Sequence, residues 1–284
     1  MHKTFISRFL HCCLALSIGL LFAGPARADH HAAAEGVDPA LQAAIDGEHR
    51  SAEHKARDQY RHPAQTLTWM GLKPDMTVVE ISPSRGWYTE ILAPYLKDQG
   101  SFYLAGFDRD SEVAYMKRLN ALLDEKLAAN PEVYGTPTVT ELAPPNKVDI
   151  APAGSADMVL TFRNVHNWMS AGTADGVFAA MYAALKPGGI LGLVEHRADP
   201  NTEQDPKASS GYVTEAATVR MAEKAGFKLV DQTEINANPK DTRDHPKGVW
   251  TLPPALSLGD EDREKYLAIG ESDRMTLKFK KPAE

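Results

Sequence analysis

Short runs of apolar residues alternate along the chain with segments in which apolar residues recur at helical spacing. The apolar runs predict five strands, at Thr77–Ile81, Ser101–Phe107, Thr138–Leu142, Ala156–Phe162 and Ile190–Val194. Between most of these runs the helical spacing predicts helices, over residues 88–96, 113–127 and 177–185. Near-continuous apolar strands that alternate with helices are typical of a parallel sheet covered on both faces.

The C-terminal part of the chain departs from this alternation. A predicted helix over 213–225 is followed by two strands, Phe227–Ile235 and Arg274–Phe279, with no helix between them, which suits an antiparallel ending. Residues 236–272, between those strands, hold four prolines and little periodicity. So long an insertion in a compact domain is usually functional, and we expect a lid. Its larger polar and aromatic residues either select a substrate or hold the loop in place: Asn236, Asn238, Asp241, Arg243 and Trp250.

The first residues have the pattern of a secretory signal peptide. Lys3 and Arg8 begin it, Leu14–Ala23 is apolar, and Ala26 to Ala28 has the small residues of a cleavage site. The apolar run is too short for a membrane-spanning helix. We therefore expect a signal peptide over residues 1–28, cleavage after Ala28, a periplasmic or secreted protein, and no membrane insertion afterwards.

Residues 29–63 are predicted to form a polar leader followed by a helix, ahead of a main domain over 64–284. A thin apolar stripe at helical spacing runs from Asp38 to Tyr60. His49 and His54 lie five residues apart in that stripe, which places them on different faces of a helix. We therefore expect solvated histidines there rather than a metal pair.

Cysteine content and charge narrow the chemistry further. Both cysteines, Cys12 and Cys13, lie in the signal segment, so the mature chain has no disulfide, thiolate metal site or cysteine nucleophile. Loss of Lys3, Arg8 and Arg27 with the signal takes the net charge from −7 to −10. Because phosphate neutralisation supplies most of the affinity for nucleic acid, an acidic chain without basic clusters is a poor nucleic-acid binder.

Four segments resemble motifs of the class I S-adenosylmethionine-dependent methyltransferases. VVEISPSRGWYTEIL, from Val78, resembles the first motif, and Asp108 occupies the place of the acidic residue that closes the second strand. SADMVLTFRNVHNW resembles the fourth-strand motif, and ALKPGGILGLVEH resembles the turn into the fifth strand. The whole chain is also similar to a group of exported bacterial proteins predicted to be methyltransferases.

The resemblance covers residue 64 to the C-terminus and implies a Rossmann-like α/β fold. That fold has a mostly parallel seven-stranded sheet with an antiparallel final strand. It also implies S-adenosyl-L-methionine as cofactor and methyl transfer to a small-molecule acceptor. The implied cofactor-binding residues are Glu80, Ser82, Pro83, Ser84, Gly86, Trp87, Asp108, Arg163 and Asn164.

The loop after the first strand departs from the family pattern. Ser82 and Ser84 stand where the family usually has glycine, and Gly86 remains. Serine at positive φ costs about 1 kcal/mol, which is several-fold in affinity. Glu80 is a carboxylate in an apolar strand and needs partners if it is buried. In the family this acidic position organises the loop and the amino group of the cofactor.

Three further residues have two interpretations each. Asp108 either binds the ribose hydroxyls or lies in an exposed turn ahead of a helix that Asp110 caps. His166 follows the fourth strand and His196 follows the fifth, so both face one cavity if those strands are neighbours. Either ring can then act as the base that takes a proton from the acceptor, or it packs beneath a loop. We assign no metal ligands.

Two other functions fit the same residues. A secreted protein that kept the fold and lost the transfer would explain the altered glycines and the expected export. A hydrolase or lyase that uses His166 and His196, with or without a metal, would explain the histidines. Fold resemblance alone does not decide among them.

Overall fold

A computed structural model describes residues 36–283, and these residues form a seven-stranded sheet. The strands are β1 (Thr77–Ile81), β2 (Ser101–Gly106), β3 (Thr138–Glu141), β4 (Ala156–Phe162), β5 (Leu185–His196), β6 (Lys228–Thr233) and β7 (Arg274–Lys280). Their order in the sheet is β3-β2-β1-β4-β5-β7-β6, and β7 runs antiparallel to both of its neighbours. This is the predicted Rossmann-like arrangement.

Helices cover both faces of the sheet. They are α1 (Pro39–Asp46), α2 (Ala52–Lys55), α3 (Asp58–Arg61), α4 (Pro63–Met70), α5 (Thr89–Leu96), α6 (Ala114–Ala129), α7 (Pro131–Tyr134), α8 (Val165–Ala171), α9 (Ala174–Ala184), α10 (Glu215–Lys224) and α11 (Arg263–Ile269). None of the helices within residues 36–283 is long and apolar enough to span a membrane. The predicted signal peptide and the first residues of the predicted leader lie outside the described residues.

Alternation along the central strands divides the apolar core in two. Val79 and Ile81 of β1 pack with Phe178 of α9 on one face. Val78, from the same strand, packs with Ile91 of α5 on the other face. Successive side chains of a strand point to opposite faces, so a strand buried on both sides is apolar throughout. This explains why β1 and β4 have their predicted bounds.

The fifth strand is longer than predicted. Helix α9 ends at Ala184, and the chain passes straight into β5 at Leu185 instead of beginning a strand at Ile190. Gly188 donates a backbone hydrogen bond to Lys281, which donates to Gly189, so the segment after β7 pairs with the Pro-Gly-Gly turn. Pairing with a distant part of the chain thus extends the strand beyond its apolar run.

The single helical stripe expected over residues 38–60 is wrong, because the segment folds into α1, α2 and α3. Helix α1 ends at Asp46, with Gly47 as its C-cap, and the buried guanidinium of Arg50 then forms a bidentate pair with Asp58. The expectation of solvated histidines is also wrong. His49 and His54 hydrogen-bond the backbone oxygen and the side chain of Glu90, at 2.7 and 2.8 Å.

The insertion between β6 and β7 is held down by its polar residues. Asn236 donates to the hydroxyls of Thr66 and Thr276, and Asn238 donates to two backbone oxygens near the start of β7. Asp241 accepts from the hydroxyl of Tyr212 and from the N–H of Asp273. These side chains therefore hold the loop in place. They leave a short 3₁₀ helix, Gly248–Thr251, and the prolines after it over the end of the sheet.

Candidate functional site

A cavity of about 740 Å³ lies at the carboxyl ends of the parallel strands. It is centred where β1 and β4 lie side by side, the point at which the strand order reverses. Open α/β sheets bind ligands at such a point, because the loops of adjacent strands leave in opposite directions and open a crevice. Val249, Trp250, Pro253 and Pro254 of the insertion form part of its wall.

Almost all of the residues expected from the sequence meet at this cavity. Ten of the eleven line it: Glu80, Ser82, Pro83, Ser84, Trp87, Asp108, Arg163, Asn164, His166 and His196. The remaining one is Gly86. It has a φ of +74°, and a Cβ added there would lie 3.1 Å from Cδ of Lys126. The intolerance of Gly86 to a side chain therefore arises from its backbone and from α6 rather than from the cavity.

The loop after β1 adopts the conformation that glycines would favour. Ser82 has a φ of 48° and Ser84 a φ of 57°, both in the left-handed region. Serine reaches this region at a small energetic cost, whereas a β-branched residue reaches it only with severe strain. The loop therefore keeps the backbone path of a glycine loop while it places two hydroxyl-bearing residues on the cavity wall.

Glu80 is buried beneath this loop. Its carboxylate accepts a 2.7 Å hydrogen bond from the hydroxyl of Thr89, the first residue of α5. Burial raises the pKa of Glu80 to about 8, partly offset by that hydrogen bond. The side chain is therefore ready to ionise when a cationic group binds beside it.

The raised pKa makes a testable prediction about stability. Folded Glu80 keeps its proton until about pH 8, whereas its ordinary pKa is 4.5. The free energy of unfolding is thus undiminished below pH 4.5 and falls as the pH rises towards 8, by at most about 1.4 kcal/mol per pH unit. Glu80→Gln should remove this dependence on pH. In urea unfolding, the free energy of unfolding of the variant, relative to that of the wild type, should therefore rise between pH 5 and pH 8. An equal difference at every pH would rule out the buried carboxyl of Glu80 as the cause of the slope.

Asp108 lies at the end of β2 and is ionised. Lys147 donates to its Oδ1 at 2.5 Å, and this bond, followed by one from the N–H of Asp110, lowers the pKa of Asp108. The capping role considered for Asp110 is wrong, because α6 begins at Ala114 with Val113 at its N-cap position. Lys147 holds the carboxylate of Asp108 at the cavity, where it can accept hydrogen bonds from hydroxyl groups.

Asn164 and Trp87 have partners within the protein. The amide nitrogen of Asn164 donates to the backbone oxygen of Ile81 and to the hydroxyl of Thr161, each at 3.1 Å. Asn164 thereby ties the loop after β4 to the end of β1. Trp87 lies against the guanidinium of Arg61, whose Cζ is 4.5 Å from the ring centroid. Both residues shape the cavity wall.

His166 and His196 face each other, with ring centroids 5.3 Å apart. Nδ1 of His166 lies 3.0 Å from the buried carboxylate of Glu195. A carboxylate accepts, so Nδ1 carries the proton and Nε2 is left as the acceptor. His196 contacts the hydroxyl of Ser272. Burial first, and then positive charge near the ring, lowers the pKa of His196 well below the ordinary value. The arrangement therefore favours His166 as a base.

His166, Glu195 and His196 also bring three potential ligand atoms within 4.8 Å of one another. Two histidines and a carboxylate suit several divalent transition metals. Both oxygens of Glu195, however, accept hydrogen bonds from His166 and from the backbone of His196. The carboxylate is satisfied without a cation, and the expectation that the site uses no metal stays a prediction.

The sequence analysis missed a group of charged residues at the rim of the cavity. Arg61 and Arg274 line it beside Arg163, and Glu271 pairs with both Arg61 and Arg274. Arg57 and Arg61 are four residues apart, a spacing that places them on one helical face. This spacing could have predicted that the two arginines lie together. Nothing local in the sequence joins either of them to β7.

Comparisons with known proteins support the fold. No family profile matches the chain, and no curated protein matches it. A SAM dependent methyltransferase from Aquifex aeolicus is 15% identical, with a TM-score of 0.51 over 80% of this chain and 93% of its own. The [4+2]-cyclase SpnF is also 15% identical, with a TM-score of 0.52 over 86% and 92%. The chain therefore has the Rossmann-like fold that these two proteins share.

Proposed function

We propose that this protein is an S-adenosylmethionine-dependent methyltransferase that acts on a small-molecule acceptor. The observation that carries the proposal is that Ser82, Asp108 and His166, from the ends of three different strands, line one cavity. The cavity thus has a loop at Ser82 that can hold a polar ligand, the ionised carboxylate of Asp108 as an acceptor for hydroxyl groups, and His166 as a base. The resemblance of the same segments to the methyltransferase motifs, and the shared fold, support it.

The residues present fit the cofactor. Asp108 would accept hydrogen bonds from the ribose hydroxyls, and the loop at Ser82 and Ser84 would lie along the methionine part. Glu80, with its raised pKa, would ionise beside the cofactor's amino group. When bound, S-adenosylmethionine supplies a methyl group that its sulfonium has already activated.

The protein would contribute a base and a fixed geometry. Nε2 of His166 would take the proton from a hydroxyl or amine of the acceptor, while Glu195 holds the ring in the required tautomer. Trp250, whose ring centroid lies 6.0 Å from that of His166, would cover the acceptor and exclude water. Holding the acceptor in line supplies much of the rate of such a transfer.

Calorimetric titration of S-adenosylmethionine and S-adenosylhomocysteine into residues 29–284 tests the proposal. Both should bind, and Asp108→Ala should weaken both roughly tenfold or more, because hydrogen bonds to a charged group are lost. Asp110→Ala is the matched control, since Asp110 shares the Lys147 contact but lies outside the cavity. Equal affinities in the two variants would remove Asp108 from the binding site.

The same experiments also test the two other functions considered from the sequence. The [4+2]-cyclase SpnF has the same fold, so the fold does not require methyl transfer. Binding without turnover would indicate a ligand-binding protein. Activity lost to a chelator would indicate a hydrolase or lyase that uses the cluster at His166.

Export after cleavage at Ala28 remains part of the proposal, and the N-terminal mass of the native protein tests it.

A further inference from the structure

Four arginines gather around one carboxylate beside the cavity. Nε of Arg57 lies 2.5 Å and Nε of Arg61 3.5 Å from the carboxylate oxygens of Glu271, and Arg274 contacts the same group. Arg163 forms none of the described salt bridges, but it lies close enough for its charge, after burial, to lower the pKa of Arg61. Four positive charges therefore share a single negative charge among the described residues.

Several nitrogens of these guanidinium groups have no hydrogen-bond partner among the described residues. Within residues 36–283, no nitrogen of Arg61 forms a hydrogen bond, although its side chain is only 3% exposed. Nη2 of Arg57 and Nε of Arg274 are likewise buried without a partner. Buried polar groups are almost always hydrogen-bonded, and an exception often indicates a ligand or an ion. An uncompensated buried charge is costlier still.

The unpaired charge faces the cavity. Arg61, Arg163 and Arg274 all line it, whereas Arg57 does not. Stacking on Trp87 fixes the plane of the Arg61 guanidinium, so its unused donors point in a set direction. Burial, followed by the charge of Arg274, lowers the pKa of Arg163 to about 10, as expected of cations that repel one another.

The cluster adjoins the proposed base. Arg274 lies directly opposite His196 in the pairing of β5 with β7, and His196 faces His166. Ser272, two residues before Arg274, contacts the ring of His196. A small molecule held by the arginines would therefore reach the two histidines within the same cavity.

We propose that the acceptor carries a carboxylate or phosphate group, and that Arg61, Arg163 and Arg274 bind it. The inference rests on the proposed function, because it names the class of acceptor for the same site. Guanidinium groups suit these anions, since their paired N–H donors match two oxygens at once. The bound anion would neutralise the excess charge, complete the unused hydrogen bonds and place the nucleophile of the acceptor at His166.

The experiment titrates inorganic phosphate, and separately benzoate, into protein saturated with S-adenosylhomocysteine, at constant ionic strength set with chloride. Both anions should raise the Tm saturably. Arg163→Gln should weaken the apparent affinity for both by about tenfold or more. Arg220→Gln is the matched control, because Arg220 is an exposed residue of α10 outside the cavity. Equal anion responses in the two variants would overturn the inference.

The direction in which Arg163→Gln changes the Tm tests the inference independently of the anion titration. Without added anion, Arg163→Gln should raise the Tm, because it removes one of several repelling charges and breaks none of the described salt bridges. A purely structural arginine predicts the opposite, a lower Tm. Should Arg163→Gln fail to fold, Arg61→Gln repeats the anion titration alone, because Arg61 also pairs with Glu271 and its loss affects the Tm for that reason. An unchanged anion response in Arg61→Gln would overturn the inference.

A further arm identifies the source of the anion, since the cofactor also carries a carboxylate. The family resemblance implied that Arg163 binds the cofactor, whereas the present inference assigns it to the acceptor. Arg163→Gln should therefore bind S-adenosylhomocysteine and 5′-methylthioadenosine, which lacks that carboxylate, as well as the wild type does. Weaker binding of the first ligand alone would assign the cluster to the cofactor and overturn the inference. If neither nucleoside binds the wild type or any variant, while the anion response remains, the proposed function is overturned instead.

Discussion

Replacing His166 by alanine should lower turnover by about a hundredfold or more, while the affinity for S-adenosylhomocysteine stays close to that of the wild type. The ring lies at the end of β4 with Nδ1 bound to the buried Glu195, and this leaves Nε2 as the one acceptor of the ring. Losing the base removes an interaction made in the transition state, so kcat should fall and the cofactor affinity should not. Release of S-adenosylhomocysteine, with a small-molecule extract of the producing cells as acceptor source, measures turnover.

Two variants separate catalysis from packing. Glu195→Gln keeps the shape of the side chain but can donate to Nδ1, which favours the wrong tautomer, so it should also lower kcat and change the pH profile. His196→Ala should affect kcat much less, because the pKa of His196 is already lowered well below its ordinary value. If His166→Ala instead loses affinity, turnover and Tm together, the ring has a packing role.

Glu271→Gln should lower the free energy of unfolding by about 3–5 kcal/mol, the cost of removing one partner from a buried ion pair. Glu271 is the shared carboxylate of Arg57, Arg61 and Arg274, and its side chain is only 2% exposed. Its loss would leave those cations facing one another. For a chain of this size, the expected fall in Tm is about 10 °C.

The matched control is Glu112→Gln, because the Glu112 side chain pairs with Lys117 but is 90% exposed. Exposed pairs contribute little to stability, so its Tm should hardly change.

Burial alone would raise the pKa of Glu271, but the charges of Arg274 and Arg61 hold it well below its usual range. The stabilisation is therefore complete above the ordinary pKa of 4.5 and is lost as the pH falls below it. A wild type whose advantage over Glu271→Gln persists in acid would show that the charge of Glu271 is not what stabilises the cluster.

Much of the fold follows from the sequence because its signals are local. Strands β1 and β4 have the predicted bounds, since a strand buried on both faces needs an unbroken apolar run. The antiparallel β7 was predicted correctly, but the reason for predicting it was wrong. No helix was expected between β6 and β7, whereas α11 (Arg263–Ile269) lies there. The N-terminal segment was predicted as one helix, and it is broken instead where Arg50 turns back to pair with Asp58, a contact that periodicity does not reveal.

The sequence by itself determined the set of strand-end residues that meet at the cavity. In an open parallel sheet, the residue after each strand lies at the same edge, so a position along the chain becomes a position in space. Asp108, His166 and His196 could therefore be placed together once the family resemblance supplied the order of the strands. The positive φ of Ser82 and Ser84 was expected because both serines stand where the resembled family usually has glycine.

Only the tertiary structure decided the charge of the cavity. Arg61 comes from α3, Arg163 follows β4 and Arg274 belongs to β7, so the cluster draws on parts of the chain more than a hundred residues apart. An acidic chain with no basic run along its sequence thus gathers three arginines in the wall of one cavity. Electrostatic energy depends on distances in space and on burial, and neither is encoded in the local pattern of residues.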